Sequence, residues 1–305
     1  MIRFIARRLV AAAVIIFAVA TVSFFLLHAA PGGPFATDQP RSAAVQAALE
    51  ERYGLHDSLG AQYLRAMGHL VRGDLGVSIR KDTSVNELIR EHAPVSATIG
   101  VIGLLAAVGF GVAMGVIAAW RRNTWVDYAL MALALVGISI PSFVLGPILI
   151  AWISLSLGWL PPARIDGASS YILPAITLGM IYIGAVARLT RGGMLDALAQ
   201  DYVRTARAKG LPERIVVWKH ALRVGIVPVV TYLGPATAAM ISGSFVVEKI
   251  FEIPGLGTYF INAIADRDSP VLVGVFVFYA TLLVLLNLVV DIAYGVLDPR
   301  VRGSR

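Results

Sequence analysis

The sequence predicts an all-α polytopic membrane protein: six transmembrane helices and a small external helical segment. Three observations carry that prediction. Apolar residues make up 57% of the 305 positions, above the ~45–50% of soluble domains. They gather into runs close to the roughly 20 residues that cross a bilayer, and the mean hydropathy is +0.75. Basic residues crowd the ends of those runs, as topology signals do.

Composition also excludes several classes. The net charge of +7 comes with only 15% charged residues. The cations sit beside apolar runs instead of being interleaved with aromatics, so nucleic acid is not expected as a partner. The absence of Cys excludes a disulfide framework and any thiolate metal site.

Arg3, Arg7 and Arg8 precede the apolar run 9–27. A basic start, an apolar run and small residues after it also make a signal peptide. The run has the length of a full crossing, however, so segment 1–27 is expected to be an N-terminal transmembrane helix. Segment 28–94 has mixed polarity and helix punctuation. Residues 42–53 close on Gly54, residues 58–72 close on Gly73, and Ser84-Val85-Asn86-Glu87 is a capping-box pattern whose helix should end at Pro94. None of these helices is apolar enough to cross, so 28–94 is expected to form an external cap.

The remaining segment, 95–305, should hold a core of five transmembrane helices. Its apolar runs are 95–119, 128–160, 172–187, 224–247 and 271–292. The second is too long for one crossing, and Pro141, Gly146 and Pro147 predict a kinked span with a short external piece. Six crossings place both termini on one side. With a cytoplasmic start, the inner segments hold 16 Lys and Arg against 10 outside, and 7 of the outer ones lie in the single long loop 28–94. Long loops escape the positive-inside rule, and the short ones obey it, so both termini are expected in the cytoplasm.

That orientation puts the polar segment 191–223 in the cytoplasm. Leu195, Leu198, Tyr202, Thr205 and Ala206 fall at helical spacing and predict one apolar stripe, with Asp201, Arg204, Arg207 and Lys209 mostly off it. Gly210 can take the left-handed backbone that stops a helix, Pro212 suits the first turn of the next, and Glu213 complements that helix's dipole. The segment therefore reads as a helical hairpin whose second helix climbs into the fifth span. Residue chemistry leaves two uses open: a basic loop that fixes topology or touches anionic lipid, or a docking element in which the small Ala206 and Ala208 let another backbone approach.

Other features have plainer readings. Gly111 and Gly115 form a Gly-x-x-x-Gly, extended by Ala107 and Ala119, which is a helix-packing stripe. His28, His56, His69, His92 and His220 have no metal-ligand spacing. None of the four lysines (Lys81, Lys209, Lys219, Lys249) follows Gly, so a phosphate-cradling Gly-Lys-Ser/Thr is missing. Asp291 and Arg188, at the inner ends of spans, are the nearest to intramembrane ionisable residues. That counts against an ion-coupled secondary carrier, the rival of another class. No arrangement of catalytic residues stands out, and an enzyme is not expected.

Arg204-Thr205-Ala206-Arg207-Ala208-Lys209-Gly210-Leu211-Pro212, followed by His220-Ala221-Leu222-Arg223 and Pro228, resembles the cytoplasmic loop of ABC-importer permeases of the dipeptide/oligopeptide group. Further stretches resemble the same group: Ala30-Pro31-Gly32-Gly33-Pro34-Phe35, Gly73-Asp74-Leu75-Gly76-Val77-Ser78, Glu248 to Gly257, Asn262 to Asp268, and Leu297-Asp298-Pro299-Arg300. The resemblance covers essentially the whole chain and is nearest to the B-type subunits of oligopeptide permeases. It departs from the general permease pattern at Arg204-Thr205-Ala206, where Glu-Ala-Ala is usual, and at Ile226-Val227-Pro228, a looser form of Ile-x-Leu-Pro. The resemblance implies the MetI-like fold of type I ABC-importer permeases and a bacterial inner-membrane location. It implies oligopeptide import, with dipeptides, nickel or glutathione as alternative cargo. Asp201, Arg204, Thr205, Ala206, Arg207, Ala208, Lys209, Gly210 and His220 would then engage an ATPase. Implied partners are a homologous second permease forming a heterodimer, two ATPase subunits that bind ATP and Mg, an external peptide-binding protein, and membrane lipid. No cofactor is expected in this chain.

Overall fold

A computed structural model describes residues 2–29, 57–241 and 245–297. Among them the chain is helical apart from turns and one isolated bridge, Val77 to Ser84. Among the described residues, five helices are long and apolar enough to cross a membrane, and a sixth crossing results if one sharply bent pair is a single span. The chain forms two compact units, residues 1–95 with 255–305, and residues 96–254.

In the first unit, α1 (Ile2–Ala29) lies along α13 (Ser269–Leu297), and α2 (Leu59–Val71) packs on α1. Ala20, Met67 and Val277 are buried together, and the Tyr63 ring stacks on Phe25 at 5.3 Å. The α2 boundaries follow the sequence signals, since the Ser58 hydroxyl accepts from the Ala61 N–H and Gly73 turns the chain with φ of +75°. The helix expected over 42–53 lies outside the described residues.

Two stretches that carried the resemblance meet in this unit. The buried Asp268 carboxylate accepts hydrogen bonds from the Ser78 hydroxyl and from the N–H groups of Ile79 at 3.2 Å and Arg80 at 3.4 Å. Asp268 also caps α13, its carbonyl accepting from the Leu272 N–H. Gly76, with φ of +90°, passes beside Pro270 at the start of the same helix. The loop after α2 is thus fastened to the turn between α12 (Leu256–Asp266) and α13.

One boundary differs from expectation. The helix starting after Ser84 does not stop at Pro94 but continues as α3 (Val85–Trp120) through the second span. Pro94 is the tenth residue of that helix, past the first turn where proline is readily tolerated. The helix nevertheless runs on through it, as membrane helices can when neighbouring groups satisfy the freed backbone.

The second unit is arranged around α6 (Ile172–Leu198), entered through a 3-10 turn, Ala168–Tyr171. It contacts α4 (Trp125–Ser139), α5 (Ser142–Leu149), α10 (Val227–Ile241) and α11 (Phe245–Ile250). Glycines set these distances. A Cβ on Gly111 would lie 2.8 Å from Val186 Cβ, and one on Gly115 only 2.5 Å from the Ala187 carbonyl oxygen. The α4–α5 pair, with a π-helical stretch Ile150–Ser156 after it, bends by 107° at Ser139–Ser142. Pro141 is the residue at the bend, whereas Pro147 stays within α5 and Gly146 packs against Ile250. Glu248, expected just beyond the fifth span, is buried at the end of α11 with 1% exposure.

Candidate functional site

The fourth span does not end at the membrane boundary read from hydropathy. Helix α6 runs on through Arg188 and Arg191 to Leu198, carrying the start of the polar hairpin as a rigid extension. It breaks at Ala199–Gln200, and α7 (Asp201–Ala208) begins with Val203 and Arg204 N–H groups donating to the Gln200 carbonyl. The break resets the helical phase. For that reason the predicted stripe through Leu195, Leu198, Tyr202 and Thr205 is not continuous. Val203 and Ala206 turn inward, whereas Tyr202 and Thr205 are exposed.

The C-terminus of α7 closes in a Schellman arrangement. Gly210 N–H donates to the Arg207 carbonyl at 2.9 Å, Leu211 N–H donates to that of Ala206 at 3.4 Å, and Gly210 has φ of +74°. Pro212 is the residue just before the next helix, one position earlier than expected, and its carbonyl accepts from Ile215 at 2.8 Å. That helix is built from α8 (Glu213–Ile215), a π-helical stretch Val216–Ala221 and α9 (Leu222–Gly225), and it turns at Ile226 into α10.

The hairpin has two distinct faces. Inward, Val203 and Ala206 join Val116 and Ala119 of α3, Met194 and Ala197 of α6, and Val216, Val217 and Ala221 in one buried apolar cluster. Ala206 is 6% exposed, so its small side chain serves this internal packing and does not offer a surface for close approach. Outward, Asp201, Arg204, Thr205, Arg207, Ala208, Lys209 and Gly210 are exposed, and His220 is half-buried on the second helix. Asp201 and Arg204 pair at 3.3 Å, and the Thr205 hydroxyl donates to the Asp201 carbonyl.

Arg207 is already engaged within the hairpin. Its Nε and Nη2 donate to the two Glu213 oxygens at 3.1 and 2.7 Å, bracing the turn. The paired guanidinium holds the Glu213 carboxyl below its usual range and raises the Arg207 pKa in return. Glu213 thus does more than meet a helix dipole.

Two features of the site escaped the sequence reading. The first is an ion pair at the root of the hairpin. Arg191 Nε and Nη2 donate to the two oxygens of Asp127 at 2.6 and 2.7 Å, and Asp127, 1% exposed, also accepts from the Asn123 N–H. Its sequence signal was an acid just after an otherwise basic loop, Arg121-Arg122-Asn123-Thr124. The second is a glycine crossing, where a Cβ on Gly193 would lie 2.2 Å from the Gly225 carbonyl oxygen. The hairpin's two arms therefore touch backbone to backbone. Away from the hairpin, a cleft of about 350 Å³ is lined by Ser142, Leu178, Ile181, Tyr182, Ala239, Phe245 and Val246, at the bend between α4 and α5.

Residues 111–303 match the family described as binding-protein-dependent transport system inner membrane component, and residues 1–100 match its N-terminal counterpart. The chain is 43% identical to the dipeptide transport system permease protein DppB of Bacillus subtilis over 303 residues, 99% of this chain and 98% of that one. It is 41% identical over 305 residues to the oligopeptide transport system permease protein OppB of Escherichia coli K12, covering 99% and 100% of the two chains. Identity to the glutathione transport system permease protein GsiC of Salmonella paratyphi A is 38% over 304 residues, 99% of each. Full-length coverage, the apolar helices and the polar hairpin agree, and the chain belongs to the inner membrane component family of binding-protein-dependent transport systems.

Proposed function

We propose that this chain is one of two related permease subunits of an ATP-driven importer for peptides, with oligopeptides as cargo, and that α7 with its Gly210 turn is the element an ATPase subunit grips. The observation that carries the reading is the two-faced hairpin. Its inner face is fused to the ends of α3 and α6 by a continuous apolar cluster, and its outer face is polar and exposed. A loop that only fixed topology would need positive charge but neither a Schellman turn nor a buried inner face. The names of the relatives, two of them for dipeptide or oligopeptide transport, support the cargo.

In this reading both termini lie in the cytoplasm, and a peptide-binding protein delivers cargo from outside. Closure of two ATPases on ATP and Mg displaces the hairpins, and the two permeases shift from inward-open to outward-open. Partner binding drives that shift only to the extent that it favours one state over the other. Exposed Lys209 and Arg204 would pair with acidic groups at the rim of the ATPase groove, and Ala208 offers the close approach that Ala206 does not.

Gly210→Val tests the reading. Nothing lies within 4 Å of a Cβ at Gly210, so the change acts through the backbone alone. A β-branched residue resists this left-handed conformation by about 1–2 kcal/mol. The expected result is a permease at normal membrane levels that loses copurifying ATPase and peptide uptake. Retention of both would sink the assignment, and sensitivity only to joint neutralisation of Arg204, Arg207 and Lys209 would favour a lipid-anchoring loop. Uptake competition among a tetrapeptide, a dipeptide, glutathione and nickel tests the cargo, and preference for any of the last three overturns it.

A further inference from the structure

We infer that Asp127 and Arg191 form a strut that makes α4 move with the hairpin, so that displacement of α7 reaches the bend before α5. The inference rests on the reading of α7 as the element gripped by an ATPase.

Contacts along the α4–α6 pair are of two kinds. Toward the bend, the pair touches through surfaces without directional bonds. Gly184 lies against Ala134, where an added Cβ would come 2.3 Å from the carbonyl oxygen, and Gly137 lies against Met180. Such small-residue contacts, with Ile138 over Gly184 and Met180 over Gly137, hold the two helices close by packing alone. At the other end, two parallel hydrogen bonds of 2.6 and 2.7 Å join Arg191 to Asp127. A bidentate guanidinium–carboxylate pair fixes both distance and orientation. The carboxylate is 1% exposed and is held from its own side by the Asn123 N–H. Separating the pair would leave a buried charge uncompensated, so the two helices keep their register when one is pushed.

Arg191 stands at the base of the hairpin, a few residues before Met194 and Ala197 of the apolar cluster that holds α7. Displacement of α7 is therefore delivered to α6 and passed at once to α4. Helix α4 ends at the 107° bend, and Ser142, the first residue of α5, lines the cleft with Tyr182 and Phe245. The strut thus places a hairpin movement at the wall of a cleft. Asp127 and Arg191 are positioning residues, since they act through α4 and α6.

The test uses the full complex with its partner permease, ATPases and binding protein in proteoliposomes, with labelled trialanine as the probe. Asp127→Asn and Arg191→Lys keep polarity and approximate size but lose the bidentate charge pair. Complexes carrying either are expected to retain their ATPases and hydrolyse ATP, while trialanine moved per ATP falls roughly tenfold, the scale of a typical coupling between sites. Because the natural chain has no Cys, Asp127→Cys with Arg191→Cys can be bridged by a short bis-methanethiosulfonate reagent. Bridging should restore trialanine moved per ATP, a recovery that a merely stabilising ion pair would not produce. The inference is overturned if both single variants move as much trialanine per ATP as the natural complex. It is also overturned if their loss only tracks a smaller amount of assembled complex and bridging recovers nothing. Failure of the underlying reading shows separately, as Gly210→Val complexes that keep their ATPases.

Discussion

A Cβ on Gly115 would lie 2.4 Å from Thr190 Cβ and 2.5 Å from the Ala187 carbonyl oxygen, closer than packed atoms can stand. Gly115→Leu must push α3 away from α6, and the expected cost is about 3 kcal/mol or more. Thermal unfolding of the detergent-solubilised complex reads that loss. Gly109, earlier on the same helix, has nothing within 4 Å of an added Cβ. Gly109→Ala should stabilise α3 by about 0.5–1 kcal/mol through helix propensity, so the pair separates packing from helix strength. The Arg207–Glu213 brace makes a pH prediction. Arg207 lowers the folded-state pKa of Glu213. The pair therefore contributes stability above the unfolded carboxyl pKa and loses it as the pH falls through the lower folded value. With both side chains more than 40% exposed, the contribution is at most about 1 kcal/mol. Glu213→Gln should modestly speed amide exchange over residues 201–216 at neutral pH, and the difference should vanish in acid below the carboxyl range.

Among the elements, the clamp on Asp268 makes the sharpest prediction. Asp268→Ala removes the acceptor of the Ser78 hydroxyl and of two backbone N–H groups. Unpaired buried donors cost about 1–3 kcal/mol each when no water reaches them. The loop 73–84 should then become susceptible to proteolysis, which limited digestion would show. The clamp also marks where sequence reading stops. Helix identity was legible because hydropathy, Gly210 and the Ser58 cap are local signals, and local signals set local structure. Pro94 misled because a helix that enters a membrane can carry a proline in its interior, so the residue's identity alone does not end it. The stripe through Tyr202 and Thr205 failed because it assumed one continuous phase across Ala199–Gln200. Asp127 with Arg191, and Asp268 with Ser78, are contacts between residues far apart in sequence. No window of the chain contains both partners, so only the fold reveals them.

For the whole molecule, topology is directly testable because a single introduced Cys is the only thiol. Gly60→Cys, on the exposed start of α2, should react with an impermeant maleimide from outside intact cells, and Lys209→Cys only after the inner face is opened. The opposite pattern would invert the chain. Helix α6 has a further consequence, in the order of synthesis. Nearly every element of the second unit rests on it, and it is made after α3 and α4, whose glycine faces at Gly111, Gly115 and Gly137 are shaped to meet it. From Gly137 to Leu198 the ribosome adds 61 residues, about 3–12 s at about 5–20 residues per second. During that interval the notched faces of two inserted helices have only lipid, or an insertase, to cover them. Slowing translation just upstream of α6 should therefore raise degradation of the nascent protein, whereas the same pause placed after α10 should leave its yield unchanged.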